Sequence, residues 1–375
     1  MKYLVAMDSF KGNMISLEAG EIVKSGILTA APEAEVEVVS IADGGEGTVD
    51  AVVVGLGGRY ESAVVTGPMG QPVTARYGVA GNVAVIEMAS ASGLPLVPRE
   101  ARDAKRAGTY GTGELIRAAL DLGCREFVMG LGGSATTDGG HGMASALGIR
   151  FLDENADELQ SGGGSLSALA SIDLSGLDAR LKECRFRVAC DVDNPLCGER
   201  GAAAIFGPQK GATPEDVALL DRNLRHYADC VAKAVGQDYS ELPGAGAAGG
   251  ICMAFMAFLG GKPEPGIDLV LDCIGFDRHA EAADIVISGE GATDYQTAYG
   301  KAPVGVARRA AKYGKPAFII SGSLGRDYEA VYEQGVTAAV STVIAPMPLE
   351  EAIRESKPLL KRAAVRLVRT IERFI

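Results

Sequence analysis

The chain has 375 residues, 47% of them hydrophobic and 22% charged, and a formal net charge of −12. That length exceeds one ordinary core and predicts two domains, while the acidic balance excludes nucleic acid and anionic lipid as main partners, because both need a concentrated basic footprint. The 50 glycines are nearly twice the usual share of ~7%, and they cluster where apolar runs end, where a backbone turns tightly or approaches a ligand closely.

From the N-terminus, Tyr3–Met7 reads as a strand running into Asp8-Ser9-Phe10-Lys11. The strand starts at once after Lys2, so no signal peptide is expected. Asp8 can hold a cation or the Lys11 ammonium, and Lys11 can reach a phosphate or carboxylate; a capped turn beside a solvated lysine weighs equally on these residues alone. A helical pattern follows over Leu17–Leu28. The strand Val36–Ile41 enters Asp43-Gly44-Gly45-Glu46-Gly47-Thr48, two carboxylates in a glycine loop that opens a helix. Such a helix start favours an anion, and three glycines exceed what a plain N-cap needs.

Tyr60–Met88 breaks the rhythm of strands and helices. It reads as three short strands with turns at Gly67-Pro68-Met69-Gly70 and Gly81-Asn82, an antiparallel meander foreign to a doubly wound sheet. After a helix over Gly113–Leu122, the strand Phe127–Met129 runs into Gly130-Leu131-Gly132-Gly133-Ser134-Ala135-Thr136-Thr137-Asp138-Gly139-Gly140. Amides without Cβ atoms can form a nest for phosphate oxygens. Ser134, Thr136 and Thr137 add hydroxyls, and Asp138 is a candidate Mg²⁺ ligand. The GK[ST] ending of a Walker A loop is missing.

Phe186–Cys190 leads into Asp191-Val192-Asp193-Asn194-Pro195. Asp191 and Asp193 face one way if the strand continues, which suits a base for a substrate hydroxyl or a Mg²⁺ site with Asn194; an Asx-turn before Pro195 is the alternative. Gly207–Ala212 is a rigid turn with Lys210 at a basic tip, before a helix starting near Pro214. Pro243–Gly250 either packs helix on sheet or meets a ligand. Ile251–Leu259 is too short to span a membrane and reads as a core helix. Ile285–Ile287 ends in Ser288-Gly289-Glu290-Gly291, with Glu290, Asp294 and Lys301 as candidate nucleotide or metal contacts. Val304–Lys312 is a helix, Ala317–Ile320 runs into Ser321-Gly322-Ser323, and a last helix lies near Leu349–Phe374.

Short strands alternating with amphipathic helices predict an α/β architecture. We assign residues 1–60 and 280–375 to a parallel-sheet domain, with 105–150 as an optional addition to it. Residues 61–104 and 151–279 form a second, mixed α/β domain. Ligands of such sheets bind outside the carboxyl ends of strands, where the Asp, Gly and Ser residues gather. The seven scattered cysteines make no CxxC pair or zinc spacing, so buried reduced thiols in a cytoplasmic protein are expected. Three isolated histidines give no ground for a Ser-His-Asp constellation, and no GxGxxG follows the first strand, against an NAD enzyme.

The loops resemble the glycerate kinase type 1 family. The matching pieces, in family order, include Asp8-Ser9-Phe10-Lys11, Asp43-Gly44-Gly45-Glu46-Gly47-Thr48, Gly111-Thr112-Gly113-Glu114, Gly132-Gly133-Ser134-Ala135-Thr136 with Asp138-Gly139-Gly140, Cys190-Asp191-Val192 with Asn194-Pro195-Leu196, Phe206–Ala212, Pro243–Gly250 and Gly289-Glu290-Gly291. The resemblance implies a flavodoxin-like and a restriction-endonuclease-like domain, and Mg²⁺- and ATP-dependent phosphorylation of D-glycerate, to 2-phosphoglycerate in the members closest in wording. The expected roles are Asp191 for the glycerate hydroxyl, Lys11 for charge on the transferred group, and Asp43, Asp138 or Asp294 for Mg²⁺. Asp8, Ser9, Gly44, Gly45, Gly47, Gly132, Gly133, Ser134, Thr136, Asn194, Lys210, Gly289, Glu290 and Lys301 are expected around substrate and phosphates. Ala292 and Tyr299 stand where the family usually has Arg and His, and Met7 where Pro is frequent. The competing readings are a kinase for another small hydroxy acid and a non-catalytic sensor of glycerate or nucleotide.

Overall fold

The computed structural model describes residues 1–374, in two compact units. The first comprises Met1–Asp43, Asp50–Gly57 and Ile267–Ile375, and the second Gly44–Val49 and Gly58–Gly266. In chain order, the first unit begins with the strands Lys2–Met7 (β1) and Glu35–Val38 (β2). The second unit supplies Arg59–Thr66 (β3), Pro72–Ala80 (β4), Val83–Glu87 (β5), Glu126–Gly130 (β6), Arg185–Ala189 (β7) and Lys262–Glu264 (β8). The first unit then resumes with Ile285–Gly289 (β9), Ala317–Ser321 (β10) and Val336–Ser341 (β11).

In the first unit the five strands of the sheet pair parallel throughout, in the order β11-β10-β9-β1-β2. Numbered within that unit this is 2-1-3-4-5, the order of flavodoxin-like folds. The central strand β1 shows why: Tyr3, Val5 and Met7 point into one core with Val23, Ile27, Leu360 and Leu367, while Leu4 and Ala6 point into the other with Val306, Ala307 and Ile319. Side chains alternate across a strand, so a strand apolar on both faces needs helices on both sides. The helices Ser16–Ala30 and Ser356–Phe374 cover one face, and Ala302–Lys312 the other. The expected last helix is broken in two at Glu355, giving Leu349–Arg354 and Ser356–Phe374.

The second unit holds a mixed sheet in the order β8-β7-β6-β5-β4-β3. The meander is there: β3 pairs antiparallel with β4 and β4 with β5, across the two turns read from the sequence. β5, β6, β7 and β8 then run parallel. The stretch 105–150 therefore packs in the second unit, because β6 inserts between β5 and β7 and Phe127 stacks on Phe186 at 4.6 Å. Residues 267–279 lie with the first unit, where Ile267, Leu271, Ile274 and Phe276 enter its core. Ile251–Leu259 is a nearly fully buried helix, as expected. Among the described residues no helix is long and apolar enough to cross a membrane, and none of the seven cysteines forms a disulfide.

Candidate active site

In the first unit, β1 and β9 are neighbours whose carboxyl ends release Asp8 and Glu290. The chain leaves β1 for β2 on one side, and β9 lies on the other. This is the switch point at which a 2-1-3-4-5 sheet opens a crevice. A cavity of about 410 Å³ occupies it, lined among others by Asp8, Ser9, Lys11, Asp43, Glu290 and Lys301.

Its acids are crowded. Asp8 is 5% exposed and accepts a bond from its neighbour's amide, Ser9 N, at 2.7 Å. Burial first, then the nearby Asp43 and Glu290 carboxylates, push its pKa up to about 7. Glu290 is also raised by burial, against the Thr297 hydroxyl at 2.7 Å and the Lys301 ammonium at 4.0 Å. The two lysines answer these acids: Lys11 lies 3.8 Å from Asp43, and Lys301 3.9 Å from Asp294. Asp294 also caps the turn Tyr295–Tyr299 by accepting from Gln296 N at 2.9 Å. Gly289 serves packing, since a Cβ there would meet the Ile320 carbonyl oxygen at 1.9 Å. Ala292 lines the cavity, whereas Tyr299 is 85% exposed.

In the second unit the two glycine loops lie against each other. Gly44, at φ +90°, sits so close to β7 that a Cβ would come 2.6 Å from that of Ala189. A Cβ on Gly132 would stand 3.0 Å from the Gly45 Cα. Gly47 and Gly133 turn the same two loops at positive φ. Asp191 follows β7 and is exposed, with one carboxylate oxygen accepting from Gly266 N at 2.8 Å.

Three candidates take structural places instead. Asp138 is wholly buried, and its oxygens accept from Thr109 N, the Thr109 hydroxyl, Gly140 N and Gly142 N at 2.8–3.2 Å. A carboxylate so occupied holds the loop to the start of the helix Tyr110–Asp121 and does not suit an open Mg²⁺ site. Lys210 is not a solvated tip: it is 2% exposed, and its Nζ donates to the Ser134 hydroxyl at 2.9 Å and the Thr136 carbonyl at 2.6 Å. Burial lowers its pKa to about 7, with Asp138 opposing. The Asn194 side-chain amide donates to the Arg200 carbonyl at 2.7 Å and closes its own loop.

Sequence reasoning missed Thr109, whose hydroxyl also accepts from Met143 N at 2.9 Å, and Thr293 and Thr297 on Glu290. It also missed the apolar cavity wall of Val343, Leu349, Ala352 and Ile353. The spacing of Leu349 and Ile353, four apart beside Pro346 and Pro348, is the one signal that pointed there.

An α/β chain with lysines and carboxylates gathered at strand ends has the make-up of an enzyme acting on small anionic molecules. The chain belongs to the glycerate kinase family, whose family model matches residues 3–372. It is 48% identical over 366 residues to a glycerate kinase of Bacillus subtilis, covering 97% of this chain and 96% of that one. It is 46% identical over 373 residues to a glycerate 2-kinase of Escherichia coli, covering 99% and 98%. A crystal structure of a candidate glycerate kinase 2 from Salmonella typhimurium LT2 superposes with a TM-score of 0.90 at 44% identity, over 100% of this chain and 98% of that one. The protein is thus an enzyme of the glycerate kinase family.

Proposed function

We propose that this enzyme transfers the γ-phosphoryl group of ATP to the 2-hydroxyl of D-glycerate, giving ADP and 2-phosphoglycerate, with Mg²⁺. The observation that carries the ATP reading is the cavity at the β1/β9 switch point, where Lys11 and Lys301 stand among Asp8, Asp43 and Glu290. The choice of hydroxyl follows the Escherichia coli relative, a glycerate 2-kinase.

Phosphoryl transfer is mostly positioning and electrostatic stabilisation. The glycerate oxygen attacks the γ-phosphorus, the bond to the β,γ-bridging oxygen breaks, and the hydroxyl proton passes to Asp191. Lys11 neutralises charge on the transferred group. The amides of the Gly44–Gly47 and Gly132–Gly133 loops serve anionic oxygens. Mg²⁺ fits the carboxylates of the cavity, because crowding and burial have already made Asp8 hard to ionise, and a cation reverses that penalty. Among the described residues no three acids or histidines converge on one point. That suits Mg²⁺, which takes one or two carboxylates and completes its shell with phosphate and water. Asp8 with Asp43, or Glu290 with Asp294, is the carboxylate pair we assign to it. Seven cysteines outside any disulfide fit a reducing, cytoplasmic setting.

A coupled ADP-release assay with Mg²⁺-ATP and D-glycerate, with the product identified by phosphorus NMR, tests this. Saturable turnover to 2-phosphoglycerate is expected. A 3-phosphoglycerate product rejects the regiochemistry, and turnover only on another hydroxy acid rejects the substrate.

A further inference from the structure

The cavity of the first unit has two unlike ends. One is the charged cluster of Asp8, Lys11, Asp43, Glu290 and Lys301; the other is a wall of Val343, Leu349, Ala352 and Ile353. Leu349 is 75% exposed and Ile353 48%, one helical turn apart on the same face. The wall is tied to the charged end: the Asn13 side-chain amide donates to the Ile353 carbonyl at 3.2 Å and the Ser356 hydroxyl at 2.8 Å. Asn13 belongs to the same loop as Asp8 and Lys11, so both ends share one support.

A three-carbon hydroxy acid has no apolar surface to set against Leu349 and Ile353. A cavity of about 410 Å³ falls in the range of roughly 300–1,000 Å³ that takes ligands of drug size. The ligand that joins a metal-binding polyanion to a flat ring with apolar faces is a nucleoside polyphosphate. We infer that this cavity binds the nucleotide, with its base against Val343, Leu349 and Ile353 and its phosphates at Lys11 and Lys301. The inference rests on the reading that the enzyme uses ATP, and it adds where the base lies.

Calorimetric titration with ADP and with inorganic tripolyphosphate, both with Mg²⁺, tests it on the wild type and on Leu349→Ser combined with Ile353→Ser. Both residues are exposed and the new side chains neutral, so the fold is expected to hold. The double variant should bind ADP at least tenfold more weakly, with tripolyphosphate affinity within twofold of wild type. Unchanged ADP affinity overturns the placement, and so does an equal loss for tripolyphosphate, which would mean that the wall acts only through the charged end. Photolabelling with 8-azido-ATP is the second measurement: the wall lies in a single tryptic peptide, 327–354, and an adduct confined elsewhere overturns the placement. Wild-type turnover separates the two readings. If ATP is consumed but the base wall proves indifferent, only the placement fails; if the wild type neither binds ADP nor consumes ATP, the ATP reading fails and the placement with it.

Discussion

The buried ammonium of Lys210 donates to the hydroxyl of Ser134 at 2.9 Å, so a lysine from a distant turn braces the glycine loop from inside. Its second bond, to the Thr136 carbonyl at 2.6 Å, fixes the same loop two residues further on. Replacing Lys210 by Met leaves both acceptors without this partner, at a cost on the order of 1–3 kcal/mol, and should lower kcat/KM at least tenfold by loosening the loop. The pH dependence identifies the group. Burial holds its folded pKa at about 7, below the ordinary 10.5. Between those values the unfolded chain holds more protons, so wild-type stability gains ~1.4 kcal/mol per pH unit from this residue as pH rises. Urea unfolding at pH 6, 7.5 and 9 should therefore show the advantage of wild type over Lys210→Met widening with pH. A constant difference rejects the shift.

Asp138 offers a sharper distinction between a scaffold and a metal ligand. Four donors converge on its carboxylate, and an amide in its place must turn an N–H toward another N–H. We expect Asp138→Asn to lose about 3–5 kcal/mol, as breaking a buried charged network does, with a large fall in Tm that is the same with and without Mg²⁺. A variant that melts normally but loses its Mg²⁺ dependence would return Asp138 to the metal site.

These two residues also mark where the sequence falls silent. Lys210 and Asp138 read as ligand groups because both sit in glycine-rich loops, and a loop's composition does not say which side it turns to the core. Asp8, Lys11, Glu290 and Lys301 were legible because they directly follow apolar runs or precede a helix, and strand ends fix which way such residues go. The meander was legible for the same reason, since alternation and glycine turns are local. The parallel pairing of β6 with β5 and β7 is not local, and nothing within 105–150 itself records its neighbours. The wall of Leu349 and Ile353 was hidden inside what read as one long helix, although Pro358, which has no N–H for the Arg354 carbonyl and sits in the first turn of the second helix, marks the break at Glu355.

Asp8 should make the enzyme less stable in exchange for its site. Its folded pKa of about 7 lies above the ordinary 3.8, through burial and then through Asp43. Between those values the folded protein holds more protons, so this residue's contribution to stability falls as pH rises and the full penalty is present above pH 7. Asp8→Asn should therefore be more stable than wild type at pH 8, by on the order of 2–4 kcal/mol, with the two proteins converging toward pH 4. Activity should be lost in the same variant. Melting curves from pH 4 to 8 check the sign: a wild type that gains on the variant as pH rises would mean that Asp8 ionises easily.

Asp191 carries the proposed proton step, and its geometry makes the prediction specific. The Gly266 amide holds one carboxylate oxygen at 2.8 Å, which orients the group on an exposed loop beyond β7. Asparagine keeps an oxygen for that amide while removing the negative charge and the ability to take a proton, so the fold and the loop should survive. General-base catalysis contributes typically ~10²–10⁴-fold. Asp191→Asn should accordingly lower kcat by at least about 10²-fold, while the ATP affinity and the Tm stay near wild type. Steady-state kinetics with both substrates varied, together with a melting curve, separate the outcomes. A fall confined to the KM for glycerate would make Asp191 a binding residue, and unchanged turnover would remove it from the chemistry.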